Sequence, residues 1–390
     1  MAQAPTLTDG TVTIRPHRPG DVRGVLEQSQ DHLSQQWTTI PVPYSLADAE
    51  VFVGQTNPRG WEQDTEWGFA VEADGRFSGT ISLRSEGHGR AELAYGSHPW
   101  VRGTGLVERA VRLLLDWGFD QQALETVVWR ADVGNWPSRR LAWRLGFSFD
   151  GKVRRWLPHR GELRDAWVGT LLRDEAREPR SAWLDCPVLE LDGLRLRPIH
   201  HRDAERIAEA CADERTQRWL GHLPTPYTLA DAHAYVETRS EQRADGSGVT
   251  WAVVDPADDL ILAAVGFFGL QPGVECEVGY WTHPEARGRG LMTRATGRVI
   301  GYAFETLGVE RVTTFAAVGN AASRHVIEAN GMTLYGVERR GIETGEGRAD
   351  MALYDVLAEE FPSRRCATAD HSSTAMPATD SVAPTSEVDR

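Results

Sequence analysis

The chain has 390 residues, 41% hydrophobic and 25% charged, with a formal net charge of −14 and four cysteines. That length accommodates two ordinary domains, each burying its own core. The composition excludes a largely disordered protein, no run nears the roughly 20 apolar residues of a membrane span, and the acidic balance argues against nucleic acid as a partner. Cys186, Cys211, Cys276 and Cys366 lack metal-ligand spacing, so reduced structural thiols and no metal are expected. The first ten residues lack a basic segment followed by an apolar stretch, and a cytoplasmic protein without a membrane partner is expected.

In chain order, residues 12–16 and 194–198 read as alternating strands ending in Arg-Pro, and Asp21 and Asp203 open helical stretches. A shared phrase follows, Pro41-Val42-Pro43-Tyr44-Ser45-Leu46-Ala47-Asp48 against Pro224-Thr225-Pro226-Tyr227-Thr228-Leu229-Ala230-Asp231, in which Ser45 and Thr228 stand as helix caps. Residues 67–71, 80–84, 251–254 and 262–270 read as strands. Next come strand-borne glutamates, Glu92 and Glu277. Glycine turns follow, Arg102-Gly103-Thr104-Gly105 and Arg287-Gly288-Arg289-Gly290, each running into an amphipathic helix. Each half then has an Asn-x-x-Ser-Arg helix start, at Asn135 and Asn320, closing in Gly146 and Gly331.

The landmarks keep one register. Glu92 and Glu277, Arg102 and Arg287, Asn135 and Asn320, and Gly146 and Gly331 are each 185 residues apart. A constant spacing over four landmarks indicates a duplicated domain. Domains are expected over residues 1–174 and 188–361, joined by a charged, proline-bearing linker at 175–187 whose Trp183 and Leu184 can dock onto a domain. Residues 362–390, rich in Ser, Thr, Ala and Pro, read as a disordered tail.

Glycines at alternate positions let a backbone approach a ligand closely, and the helix that follows offers unpaired N–H groups and a partial positive charge. This is pyrophosphate-binding geometry. A Walker cradle would need Gly-Lys-Ser/Thr, which neither Gly105-Leu106-Val107 nor Gly290-Leu291-Met292 supplies. A dinucleotide fold would place the glycine turn after the first strand of its domain, and here it follows several elements.

With the glutamate strand before the turn and the Asn-x-x-Ser helix after it, each half resembles the GNAT N-acetyltransferases. More narrowly it resembles the branch of the ribosomal-protein alanine acetyltransferases RimJ and RimL. The motifs are Glu277-Val278-Gly279-Tyr280-Trp281, His283 to Thr293 and Asn320-Ala321-Ala322-Ser323-Arg324, with Glu92-Leu93-Ala94-Tyr95-Gly96, Arg102 to Gly105 and Asn135-Trp136-Pro137-Ser138-Arg139 in the first half. The resemblance implies an α+β fold of two tandem domains, each a mixed, mostly antiparallel twisted sheet with splayed central strands flanked by helices. It implies acetyl-CoA, or another acyl-CoA, in the splay, with direct transfer of the acyl group in a ternary complex. The pyrophosphate would rest on the backbone of Arg102, Gly103, Thr104, Gly105, Leu106 and Val107, or of Arg287, Gly288, Arg289, Gly290, Leu291 and Met292, near Asn135 or Asn320. Arg289 can add a charge contact that Thr104 lacks. The acceptor would be a small-molecule amine or a protein N-terminus. Because two units in one chain can supply the pairing that single-domain relatives obtain by dimerising, a monomer is expected.

Amide formation from a thioester needs a neutral amine, a stabilised oxyanion and a proton for the thiolate. Alternation puts Glu277, Gly279 and Trp281 on one strand face and Val278 and Tyr280 on the other, so Glu277, and Glu92 likewise, can reach the cleft as general base. The competing reading is a strand carboxylate paired with an arginine. Backbone N–H groups in the splay would hold the oxyanion. Many acetyltransferases of this fold carry an acidic tyrosine seven residues after the motif asparagine, where this chain has Ala142 and Ile327. The RimJ and RimL branch uses the serine three residues after it, here Ser138 and Ser323; alternatively, that serine merely fills the first turn of an asparagine-capped helix.

Met292 and Thr293 follow the second turn, where the first has Val107 and Glu108, a carboxylate close to the expected phosphates. The second unit is therefore favoured as the catalytic one. The alternative is an acyl-CoA sensor or scaffold in which one or both units bind without turnover. Of the 14 tryptophans, Trp37, Trp61, Trp219 and Trp251 fall where acceptor walls are expected, though core filling explains them equally well.

Overall fold

A computed structural model describes residues 4–361; the expected disordered tail and Cys366 lie outside the described residues. The chain falls into two compact units that part between Asp185 and Cys186, the segment Glu237–Gly246 grouping with the first.

In the first unit, β1 (Leu7–Thr8) and β2 (Val12–Arg15) precede α1 (Val22–Gln30), α2 (His32–Trp37), α3 (Leu46–Val51) and α4 (Asn57–Glu62). Then come β3 (Glu66–Ala73), β4 (Arg76–Gly87), β5 (Arg90–Ser97), α5 (Leu106–Gln121), β6 (Thr126–Asp132) and α6 (Trp136–Arg144), closed by a hairpin of β7 (Gly151–His159) and β8 (Glu162–Leu172). The second half follows the same order with one helix in place of α3 and α4: β9 (Leu189–Leu191), β10 (Leu194–Pro198), α7 (Ala204–Ala212), α8 (Glu214–Trp219), α9 (Leu229–Asp245, whose later turns group with the first unit), β11 (Val249–Val254), β12 (Ile261–Gln271) and β13 (Glu275–Thr282). It ends with α10 (Leu291–Glu305), β14 (Arg311–Ala317), α11 (Ala321–Glu328), β15 (Thr333–Thr344) and β16 (Gly347–Leu357).

The two sheets have the same topology. The first runs β1-β2-β3-β4-β5-β6-β8-β7 and the second β9-β10-β11-β12-β13-β14-β16-β15. Among the described residues only β5–β6 and β13–β14 are parallel. Those are also the pairs that come apart: β13 and β14 match at Glu275↔Arg311, Cys276↔Val312 and Glu277↔Thr313 and then separate, and β5 and β6 separate after Leu93↔Trp129. Meanwhile β14 stays paired to β16 as far as Ala317, and β13 to β12 as far as Thr282. The expected splay is thus a gap opening directly after Glu277 in one unit and one residue beyond Glu92 in the other.

Local chemistry explains the starts of the helices. Ser45 Oγ accepts the Asp48 N–H at 3.3 Å while the Asp48 carboxylate accepts the Ser45 N–H at 2.8 Å; Thr228 and Asp231 repeat both bonds at the same distances. The Arg-Pro strand ends have a structural purpose. Arg197 makes two parallel bonds to the buried Asp203, at 2.9 and 2.8 Å, pinning β10 to the helical segment that follows, and Arg15 and Asp21 do the same in the first unit. Asp203→Ala leaves a buried guanidinium short of its partner and is expected to destabilise the second unit by about 3 kcal/mol, read as a lower urea midpoint for that unit.

In the first unit the core lies between the sheet and α5 and α6, with Ile14, Phe69, Leu83, Leu114, Leu115, Trp129 and Trp167 fully buried or nearly so. The second unit likewise buries Leu291, Ala295 and Val299 of α10, and on the other sheet face Ile199, Ile207, Val236, Ala252 and Val254 pack under α7 and α9, as Val25, Tyr44, Ala49 and Val53 cluster under α1 and α3 in the first. Trp251 is completely buried, and Trp61 packs on Phe69 and Trp117, so these two fill cores rather than wall an acceptor site. Within the expected linker, Trp183 stacks near Trp143 of the first unit at 5.5 Å between ring centroids. No described helix is long and apolar enough to cross a membrane.

Candidate active site

Each glycine turn leads into a helix whose N-cap glycine is left-handed, Gly105 at φ 83° and Gly290 at φ 67°. Gly103 and Gly288 are left-handed too, at 76° and 75°. A Cβ built on any of the four meets nothing within 4 Å, so the glycines satisfy a backbone requirement and leave the surface above them open. Neither helix start carries a side-chain cap. In α10 this leaves the first-turn N–H groups without a side-chain cap, as an anion site demands, whereas in α5 the Leu106 N–H already donates to Thr104 Oγ1 at 3.4 Å; the exposed glycine backbone of both turns fits a pyrophosphate.

The side chains around the turns do different work. Arg287 reaches back to Asp213, the N-cap of α8, and to Thr216 Oγ1 at 2.7 Å; Arg102 likewise holds Asp31. These guanidinium groups are structural, leaving only their backbone for a ligand. Leu291 and Met292 bury their side chains, and Leu106 and Val107 are half-buried against the first core. Thr104 bonds within its own turn, donating to the Val101 carbonyl at 2.7 Å. Arg289 at the same place is exposed and makes no ion pair among the described residues. Glu108 is paired with Arg112 at 3.0 Å and Arg144 at 3.6 Å, so its charge is balanced locally and the repulsion suggested by sequence is largely removed.

Asn320 Oδ1 accepts the Ser323 N–H at 3.2 Å, and Asn135 does the same for Ser138, so both asparagines are helix caps. The serines also have a second connection. Tyr280 OH lies 3.0 Å from Ser323 Oγ, and Tyr95 OH lies 2.6 Å from Ser138 Oγ. Burial pushes both phenols up to about 12, so they stay protonated. In the first unit Trp129 Nε1 adds a donor to Ser138 Oγ at 3.0 Å. Thr314 stands at that position in the second and instead donates to the Val278 carbonyl at 2.8 Å. The tyrosines belong to the quoted motif, but only the fold brings them to a serine 43 residues away.

The Val278 bond also orients β13. Val278 turns its peptide group toward β14, whereas the His283 N–H, of opposite parity, donates to Leu262 of β12 at 2.9 Å. Alternation then leaves the Tyr280 peptide group facing the gap, where an oxyanion could be received. Glu277 lies on the other side of the strand from Tyr280, and its register with β12 is continuous from Glu277 to Thr282.

The two glutamates differ sharply. Glu92 is ion-paired with Arg130 at 3.6 Å, and Arg84 lies opposite it in register on β4. Glu277 has neither a hydrogen bond nor an ion pair among the described residues; burial pushes its carboxyl above the ordinary carboxylate range. The residues in the corresponding places are Phe315, two beyond its β14 partner Thr313, and Phe268, its register partner on β12. Sequence motifs did not reveal this exchange of two arginines for two phenylalanines, because it is visible only once strand register is known.

Among the described residues no group of three or more His, Cys, Asp or Glu is placed to hold a metal. A cavity of about 370 Å³ in the first unit is lined by Gln36, Trp37, Asp132, Val133, Arg164 and Asp165.

The acetyltransferase (GNAT) domain family matches the chain twice, over residues 11–148 and 193–333. The putative ribosomal N-acetyltransferase YdaF of Bacillus subtilis is 33% identical over 183 residues, 45% of this chain and 96% of that protein. The spermidine N(1)-acetyltransferase of Escherichia coli K12 is 28% identical over 158 residues, 40% of this chain and 83% of that protein. Similar solved structures include a probable acetyltransferase, 28% identical, covering 45% of this chain and 99% of that one with a TM-score of 0.42. Another is Mycobacterium smegmatis RimJ in complex with CoA-disulfide, 19% identical, covering 46% and 90% with a TM-score of 0.42. The chain belongs to the GNAT acetyltransferase family, carries its domain in tandem duplicate, and is an N-acetyltransferase.

Proposed function

We propose that the second unit transfers an acetyl group from acetyl-CoA to a primary amine, and that the first unit binds acyl-CoA with little or no turnover. The observation that carries this is the contrast between Glu277, half-buried and unpaired, and Glu92, engaged with Arg130. A general base must be free to receive the ammonium proton, and a base raised above the ordinary carboxylate range is better matched to that proton.

In this reading the exposed backbone at Gly288 to Gly290 and the first turn of α10 hold the pyrophosphate, with Arg289 adding charge. Glu277 takes one proton from the acceptor ammonium, and the freed amine attacks the thioester carbonyl. The Tyr280 N–H at the gap receives the developing oxyanion. As the C–S bond breaks, the thiolate takes the Ser323 hydroxyl proton while the attacking nitrogen returns its second proton to Ser323, so CoA leaves as the thiol, the amide is neutral, and Tyr280 keeps its own proton and holds Ser323 in place. Glu277 and Ser323 address opposite faces of β13, so amine and thiolate are handled on opposite sides of one gap.

The test is CoA release when acetyl-CoA meets an amine panel. Release supports the transferase reading; tight acetyl-CoA binding with no release from any amine would make the chain a sensor. A thiol with a pKa of roughly 8.5 is a good leaving group. Ser323→Ala is therefore expected to lower kcat only about threefold to tenfold, with acetyl-CoA affinity unchanged. An unaltered kcat would reduce Ser323 to a helix residue.

A further inference from the structure

On the Glu277 face of β13, the surroundings are aromatic. Phe268 is the cross-strand partner of Glu277, and its ring lies over Gly279: a Cβ there would stand 2.9 Å from Phe268 Cε2. Trp281 follows on the same face and donates through Nε1 to Tyr235 OH at 3.2 Å. Across the gap stands Phe315, on the same face by the parallel register and 40% exposed. Farther along the face, Glu209 and Glu285 are already committed to His283 and Arg206.

We infer that the acceptor in the second unit is a monoamine carried on an aromatic or alkyl body, its ammonium meeting Glu277 and its body lying against Phe268, Phe315 and Trp281. This rests on the reading of Glu277 as the base. A single unpaired carboxylate fixes one cationic centre, while the rings offer apolar area and attract the cation's edge. A polyamine brings a second ammonium; Glu209 and Glu285 are already paired, and burying a second cation against rings without a counter-charge is unfavourable. The first unit shows the opposite design. Arg84 and Arg130 take the places of the phenylalanines, Gly96 that of Trp281, and the buried Gln28 reaches over Gly96.

The experiment measures CoA release by the full chain with acetyl-CoA and, in turn, phenethylamine, spermidine and an alanine-starting peptide. Phenethylamine is expected to show at least a tenfold higher kcat/KM than spermidine or the peptide. Phe315→Ala, at an exposed position that does not support the core, is expected to raise the phenethylamine KM about threefold to thirtyfold, with kcat little changed and acetyl-CoA binding intact. Phe268→Leu, which keeps apolar volume but removes the ring, should move KM in the same direction. A preference for spermidine or the peptide, or an unchanged phenethylamine KM in both variants, overturns the aromatic acceptor site while leaving Glu277 as base. No CoA release with any amine overturns both.

Discussion

Glu277→Gln is expected to lower kcat/KM for the amine at least tenfold while acetyl-CoA binds as before, and Glu92→Gln to change it less than twofold. General-base catalysis is typically worth about 10²- to 10⁴-fold, and glutamine keeps the shape of the side chain but cannot take a proton. The pH profile gives the second half of this prediction. Because burial raises the Glu277 carboxyl, the rate in the native protein should fall as pH drops through a value above the ordinary carboxylate range, and that limb should vanish in the glutamine variant.

Stability separates this from unfolding. A carboxyl raised in the folded state binds its proton more tightly than in the unfolded chain, so it favours folding below its unfolded pKa, and that contribution is lost as pH rises through the folded one. Above its folded pKa the half-buried carboxylate is a cost, and there the glutamine variant should be at least as resistant to urea as the parent. Thus an inactive variant that is equally stable and still binds acetyl-CoA assigns the loss to proton transfer. Unchanged turnover would remove Glu277 from the mechanism.

Most of the architecture is local enough to be legible in the sequence. Glycine turns, the Ser45 and Thr228 caps and the Asn-x-x-Ser starts depend on residues within four positions of each other, and the 185-residue spacing repeats them. The strand bearing each glutamate follows from period-two alternation. What could not be read was register between strands distant in sequence. Whether Glu277 meets an arginine or a phenylalanine depends on Phe268 and Phe315 arriving opposite it, and nothing near Glu277 encodes that meeting. The Tyr280–Ser323 hydroxyl contact is hidden for the same reason. Trp61 and Trp251 show the converse limit: tryptophans suit an aromatic wall and a core equally, and only packing decides. At Glu108 the missing information was the pair of arginines, one of them on another helix.

The glycine cradles provide the second large effect. Gly290→Glu places a carboxylate where the pyrophosphate should rest, on a residue whose left-handed φ already disfavours any side chain. Loss of acetyl-CoA affinity of at least a hundredfold at that site is expected. Gly290→Ala carries the same backbone strain without the charge and should lose much less. Gly105→Glu makes the equivalent change in the first unit, so calorimetric titration of acetyl-CoA into the parent and both glutamate variants, with CoA release measured on the same samples, tests the division of labour directly. Gly290→Glu should abolish CoA release and the heat of its own site, while Gly105→Glu leaves release intact. Release lost with Gly105→Glu and retained with Gly290→Glu would contradict the assignment of catalysis to the second unit.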